Sequence, residues 1–363
     1  MGKKNNLLMW LMLGILAVSC KQSAIFYAIS QEVEPVDPRI DGMPTNIVKL
    51  GDTVYVASRF NGDIQRYADG SWKNLNQQPG GKILELAGTD AYLYALTGDP
   101  GSAGVSRYDP AEGGWQTITV SGNMQVIYGA GEYLFASVMH GSGFDIQYAR
   151  DGDTSFTDLK TETKLLKGAA VLDGVYYLAT AGDGIFTFDG DSAQGPTAIN
   201  GEAEAKANIT GVITVMNTIV AVSKGSILYG NAEGFTAVSG GVTFTGGLGL
   251  WEGVVTKKNE NEEDEEVPLK LLLLGTQGAS GSTTHGYREI VLTAEGTLNP
   301  DAMGLYSPGT HDNSSVRNAD KYNSSLRRYP VIGFLQAPDT ILFAATVKSG
   351  LWAYRNNVWN AEE

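Results

Sequence analysis

One strand returns seven times along this chain, and that recurrence constrains the fold more than any other feature. Centred on its most hydrophobic residue, it reads TVYVAS at Tyr55, YLYALTG at Tyr94, YLFASVM at Phe135 and VYYLATA at Tyr177. It continues as TIVAVSK at Val220, LKLLLLG at Leu272 and ILFAATV at Phe343. Successive centres lie 39, 41, 42, 43, 52 and 71 residues apart. The first four gaps sit in or beside the ~40–50-residue range of propeller blades. Two polar insertions lengthen the last two.

Each unit repeats one grammar, best formed in Asp173–Asp191 (DGVYYLATAGDGIFTFDGD). An apolar strand such as Asn46–Leu50 or Lys82–Leu86 comes first, and a Gly/Asp/Asn turn leads to the strong strand. A Gly-containing loop follows. The third strand alternates aromatic and polar residues, as in Asp63–Tyr67, Val105–Tyr108, Phe144–Tyr148 and Leu351–Tyr354. A short edge strand carrying Trp72, Trp115, Phe156, Phe235 or Trp359 closes the unit. Alternation marks a half-buried strand, and a continuous apolar run marks one buried on both faces. The second strand is therefore central and the fourth is the wet edge. The pairs Asn61-Gly, Asp173-Gly, Asp183-Gly and Asp189-Gly supply hairpin turns, because Gly accepts positive φ. A four-stranded sheet cannot bury both faces alone, and radial packing of such sheets can. The expected fold is all-β: a seven-bladed β-propeller of four-stranded antiparallel blades.

Gly104–Trp115 (GVSRYDPAEGGW) and Gly350–Trp359 (GLWAYRNNVW) resemble blades of kelch-like and two-component-regulator-type propellers. The Gly-Gly doublet of kelch blades is missing. Ala149–Phe156 (ARDGDTSF) is similar to the Asp-box of sialidase-type propellers in a degenerate, single copy. Asp151 is expected to serve a turn between third and fourth strands. The resemblance spans about 44–363 and implies architecture, since propellers host many functions.

Ahead of the repeats, Lys3 and Lys4 precede the apolar run Leu7–Val18 and then Ser19-Cys20. This is the layout of a secretory leader. Ala17-Val-Ser-Cys20 resembles a bacterial lipobox, with Ala17 where Leu is more usual, a variation that spirochaetal and some other envelope lipoproteins tolerate. The resemblance implies acylation of Cys20, the chain's single cysteine, and stable anchoring by two or three acyl chains. A lone cysteine leaves no internal disulfide and no thiolate cage. The expected organisation is a signal peptide over 1–19, a lipidated tether over 20–43 and a propeller over 44–363. Within the tether, Ala24–Ser30 is apolar enough to pair as an outer strand that helps close the ring, and Gln31–Pro38 is acidic, proline-rich and extended.

The formal net charge is −14, and loss of Lys3 and Lys4 with a leader makes it more negative. That balance argues against nucleic acid as a partner and against anionic membrane binding by the body itself. No nucleophile elbow, phosphate loop, dinucleotide fingerprint or zinc motif is present. No cofactor or metal is expected.

Two insertions interrupt the late repeats. Residues 257–267, between the first and second strands of unit six, hold an acidic block without the spacing of a calcium loop, expected to be solvated and mobile. Residues 303–329 precede unit seven and gather His311, Arg317, Lys321, Tyr322, Arg327 and Arg328. Arg and Tyr are favoured binding residues, and loops of this length are functional or disordered. In a propeller, second-to-third strand loops and blade-to-blade connections share a face. His140, His285 and His311 are therefore expected on the face of the basic insertion, with the acidic insertion opposite.

These features lead to the expectation of a non-enzymatic bacterial envelope lipoprotein, membrane-bound through acylated Cys20. Its propeller would bind a protein or glycan partner through His140, His285, His311, Arg317, Lys321, Tyr322, Arg327 and Arg328. The alternatives are a carbohydrate-active enzyme and a solute-binding or sensor propeller of the envelope.

Overall fold

The computed structural model describes residues 40, 42–60, 62–99, 102–194, 208–239, 242–258, 263–277, 286–292, 326, 329–355 and 358–362. Over these residues the chain is a ring of seven antiparallel sheets. Blade one comprises β1 (Val48–Leu50), β2 (Thr53–Ala57), β3 (Ile64–Ala68) and β4 (Ser71–Asn74). Blade two comprises β5 (Ile83–Gly88), β6 (Leu93–Thr97), β7 (Gly104–Asp109) and β8 (Gly114–Ile118). Blade three comprises β9 (Asn123–Ala130), β10 (Tyr133–His140), β11 (Gly143–Arg150) and β12 (Thr157–Thr163). Blade four comprises β13 (Leu166–Leu172), β14 (Val175–Thr180), β15 (Gly184–Phe188) and β16 (Ala193–Gln194). Blade five comprises β17 (Ile209–Val215), β18 (Thr218–Ser223), β19 (Ser226–Asn231) and β20 (Gly234–Ser239). Blade six has three strands among the described residues, β21 (Phe244–Lys258), β22 (Asp264–Thr276) and β23 (Gly286–Val291). Blade seven comprises β24 (Val331–Gln336), β25 (Leu342–Thr346), β26 (Leu351–Arg355) and β27 (Val358–Ala361).

The expected all-β, seven-bladed propeller is thus the observed fold. The seven hydrophobic centres all fall on second strands. The Asp173-Gly174 hairpin between β13 and β14 has positive φ at both residues, 52° and 77°. Only a primed turn provides that geometry, and its twist matches the flanking strands.

The core is divided among seven apolar clusters, each filling the gap between consecutive blades. Along β2, Tyr55 and Ala57 face blade two with Ile83, Leu86 and Leu93. Val54 and Val56, on the other side, face blade seven with Phe343, Leu351 and Ala353. Successive strand side chains point to opposite faces, and here both faces are interfaces. That is why the second strands read as unbroken apolar runs. Between blades three and four the cluster is aromatic: the Tyr133 ring meets Tyr176 edge-on at 4.9 Å and Phe188 at 5.3 Å.

Among the described residues each blade is contiguous in sequence, and side chains and one short segment join blade one to blade seven. Ile40 and Gly42, in the stretch read as tether, accept hydrogen bonds from Leu351 N at 3.3 Å and Gly350 N at 2.8 Å. Ile40 is 1% exposed, packed with Val54, Trp72 and Leu351. Glu362 sits beyond β27, 3% exposed. It accepts from Trp72 Nε1 of blade one at 2.8 Å and Arg355 at 2.7 Å. The Tyr67 hydroxyl of blade one donates to Asp339 of blade seven. The proposed closing strand Ala24–Ser30 and the anchor Cys20 lie outside the described residues.

The acidic insertion differs from its expected form. Residues 257–258 and 264–266 are not a loop: they extend the β21–β22 hairpin, with Thr256 opposite Glu266, Lys257 opposite Glu265 and Lys258 opposite Asp264. The register places basic residues across from acidic ones, which favours pairing. A block that looks like-charged along the sequence is mixed across the ladder.

Candidate functional site

The first strand of each blade is innermost, and its free edge faces a central channel. Loops between second and third strands, and connections from one blade to the next, define one face, here called upper. Near the upper end of every inner strand the ladder slips. One extra residue intervenes at Leu84, Gln125, Lys167, Thr210 and Ile332 in blades two, three, four, five and seven. In blade one the extra residue falls within Thr45–Ile47, between the Pro44–Ser58 bridge and the Val48–Tyr55 pair. In blade six Thr245, Gly246 and Gly247 together span the slip. A bulge leaves its extra residue unpaired and turns the strand, so seven bulges form a collar at one level of the channel.

The apposed second strands share a second feature. Six carry a hydroxyl at or next to the upper end, Ser58, Thr97, Thr180, Ser223, Thr276 and Thr346, and β10 carries Ser137 three residues before its end. Thr180 and Thr346 are fully buried and close their hairpins by donating to Gly184 O at 2.9 Å and Gly350 O at 2.8 Å. Ser137 Oγ instead accepts from Leu166 N of the next blade at 2.9 Å.

Collar residues line a cavity of about 260 Å3. Its wall mixes apolar side chains, including Ile47, Val212, Leu248, Ile332 and Phe334, with polar surface, since Gly168, Gly211, Gly246 and Gly333 leave peptide groups approachable. Three of its side chains are polar: Asn46, Tyr128 and Lys167. Burial pushes the Tyr128 hydroxyl up to about 12, with the Arg59 charge acting the other way. Lys167 is half-buried, with no acidic partner among the described residues. The other polar collar groups are engaged: Thr210 donates to Val222 O at 3.2 Å, Thr245 to Val331 O, and Gln125 to Asn123 at 2.6 Å.

Beside the cavity, Arg59 and Glu85 brace blade one to blade two. Glu85, 6% exposed, takes the place where several inner strands have the glycine after the bulge. Its Oε1 accepts from Asn46 N at 2.5 Å and its Oε2 from the Arg59 guanidinium. Burial holds the Arg59 guanidinium below its ordinary value, and its buried Nε has no hydrogen-bond partner. Next to it Phe60 is 45% exposed at φ 73°, a left-handed conformation that a bulky residue rarely adopts.

The lower face is built differently. After third strands, Asp109 Oδ1 accepts from Ala111 N at 2.8 Å and Asn231 Oδ1 from Glu233 N at 2.9 Å. Asp189 accepts from Asp191 N and Ser192 N at 3.0 and 3.1 Å, and these bonds hold its carboxyl below the usual range. Asp151 of the Asp-box-like stretch lies in the β11–β12 connection. It accepts from Thr89 Oγ1 at 2.6 Å and Tyr94 OH at 3.0 Å, fastening blade three to blade two. Burial pushes the Asp151 carboxyl up, while those two bonds oppose the shift.

Of the eight residues expected to bind a partner, His140 lies among the described ones. It ends β10 on the upper face, its Nδ1 2.9 Å from Asp145 Oδ2 and its side chain 68% exposed. His285, His311, Arg317, Lys321, Tyr322, Arg327 and Arg328 lie outside the described residues. No group of three or more His, Cys, Asp or Glu among the described residues could hold a metal ion. The collar and the Arg59–Glu85 brace escaped the sequence reading. Their signal was the recurring pair at Lys167-Gly168, Thr210-Gly211, Thr245-Gly246 and Ile332-Gly333, about three residues into each inner strand.

The fold and channel define the class: a seven-bladed β-propeller with a bulge-collared axial cavity. No family model matches the chain, and no curated relative matches it. Solved propellers do. The extracellular domain of the BT4673 two component system from B. thetaiotaomicron is similar at TM-score 0.53 and 11% identity, over 87% of this chain and 39% of that one. An ancestral GH74 enzyme is similar at 0.54 and 13%, over 90% of this chain and 47% of that one. This chain thus spans under half the length of both. The computationally designed Ika8 protein is similar at 0.51 and 10%, over 88% of this chain and 99% of that one. At such identities the likeness is one of fold, and function must be argued from the site.

Proposed function

We propose that this protein is a non-enzymatic, lipid-anchored propeller of the bacterial cell envelope that docks a protein or glycan partner on its upper face. The observation that carries the reading is the segregation of chain length between the faces. Connections on the lower face between described strands span six residues or fewer, the longest being 151–156. The connections 195–208 and 277–285 join strand ends at the upper face, and the run 292–330 leaves β23 at the lower face and enters β24 at the upper one. They cluster from blade four to blade seven, and the last carries Arg317, Lys321, Tyr322, Arg327 and Arg328. In the lower-face turns Asp109, Asp189 and Asn231 bond their own backbone, and Asp151 bonds Thr89 and Tyr94 of the neighbouring blade. A rigid scaffold with variable loops on one face is the usual architecture for binding. Anchoring rests on the lipobox-like Ala17–Cys20.

Reversing the basic cluster with Arg317→Glu, Arg327→Glu and Arg328→Glu is expected to cut partner recovery at least tenfold in quantitative co-purification from envelope extracts, with thermal stability unchanged. Undiminished recovery would remove the assignment of this face. The solute-binding alternative has a specific observation of its own, the collared cavity.

A further inference from the structure

We propose that the axial cavity is a binding site for a small organic carboxylate, with Lys167 pairing the carboxylate and the apolar side chains of the wall holding the body. The proposal goes beyond partner docking and is independent of it, because the cavity is built from inner strands and not from the long connections.

Four features point to this ligand. The cavity is concave and sets the apolar side chains of Ile47, Val212, Leu248, Ile332 and Phe334 beside polar groups, a mixture suited to a small molecule with one charged end. At about 260 Å3 it has room for a compact ligand. Its charge is opposite to that of the whole chain: the wall holds one cation, Lys167, and no carboxylate, in a chain of net charge −14. Glu85, the acid beside the cavity, is already engaged by Arg59 and by Asn46 N. Finally, Lys167 is itself a bulge residue, flanked by Leu166 and Gly168, which pair with Thr180 and Ala179. The bulge takes the lysine out of the sheet's alternation and puts it on the channel wall, where the half-buried residue lacks an acidic partner among the described residues.

A neutral ligand of the same shape would leave that ammonium unpaired, and a cationic one would be repelled. The site therefore selects by charge first and by fit against Val212, Leu248, Ile332 and Phe334 second. Tyr128, whose hydroxyl remains protonated through the neutral range, can donate a second hydrogen bond.

The test uses the full-length protein in detergent and three probes of one shape: benzoate, benzamide and benzylamine. Affinity is measured by calorimetry or by ligand-observed NMR. Benzoate is expected to bind with saturation and at least tenfold more tightly than the other two. Lys167→Gln is expected to weaken benzoate by about ten- to a hundredfold, the range for a hydrogen bond to a charged group, and to leave benzamide unaffected. Ile332→Phe, which fills the collar without touching the charge, is expected to abolish binding of all three. Circular dichroism and the melting temperature establish that each variant is folded. Equal affinity for benzoate and benzamide would overturn the proposal, as would benzoate binding unchanged by Lys167→Gln, or no saturable binding of benzoate at all.

Discussion

Glu362→Ala is expected to destabilise the ring by about 3 kcal/mol, the lower end of the cost of breaking a buried ion pair. The carboxylate is buried, yet it bonds Trp72 Nε1 of blade one and Arg355 of blade seven. Truncation leaves an indole N–H and a guanidinium without their acceptor. Arg355 is 40% exposed and can turn to water, which keeps the loss near the lower end. The position matters because blades one and seven are the first and last of the ring: they meet without an exchanged strand among the described residues. The clasp adjoins the cluster of Ile40, Val54, Tyr67, Trp72, Phe343 and Leu351. Hydrogen exchange should therefore accelerate first in β2–β4 and β26–β27, with the denaturant midpoint falling as well. Glu362→Gln keeps an acceptor for Trp72 and should lose less. An alanine variant within about 0.5 kcal/mol of the parent, the range of an ordinary surface substitution, would show that the clasp does not close the ring.

Gly129→Ala is expected to cost a similar amount, about 3 kcal/mol, the upper part of the range for overpacking. A Cβ on Gly129 of β9 would lie 1.9 Å from Gly88 O and 2.6 Å from Gly88 C on β5. Both obstacles are backbone, so relief requires blades two and three to move apart at the channel. Gly104→Ala is the control, since its Cβ would meet nothing within 4 Å. It should stay within about 0.5 kcal/mol of the parent or gain slightly by restricting the unfolded chain. Parallel urea titrations of the two variants check the contrast, and equal midpoints would contradict the close-packed inner wall.

The fold was legible because each second strand is buried on both faces. Val54 and Tyr55 point into different interfaces but are both apolar, so the run around Tyr55 stands out and its returns can be counted. The channel was harder to read. Lys167 and Thr210 look like polar positions of alternating strands, and only the ladder shows that each is an added residue turned to the axis. Glu85 was hidden for a related reason: nothing local distinguishes it from a solvent-facing residue, because its partners, Asn46 and Arg59, belong to another blade. Thr180 and Thr346 stand in their runs like ordinary strand residues, although they close hairpins. The acidic insertion misled because charge was read along the chain, whereas pairing sets Lys257 against Glu265 across it.

The most direct measurement of the central claim, that one face does the docking, is photo-crosslinking in cells of the native host. A photoreactive residue is placed at Tyr322, between β23 and β24, and in a second strain at Asn261, between β21 and β22. The account predicts a discrete adduct from Tyr322, identifiable by mass spectrometry, and none from Asn261. An adduct from Asn261 alone, or the same adduct from both positions, would contradict it.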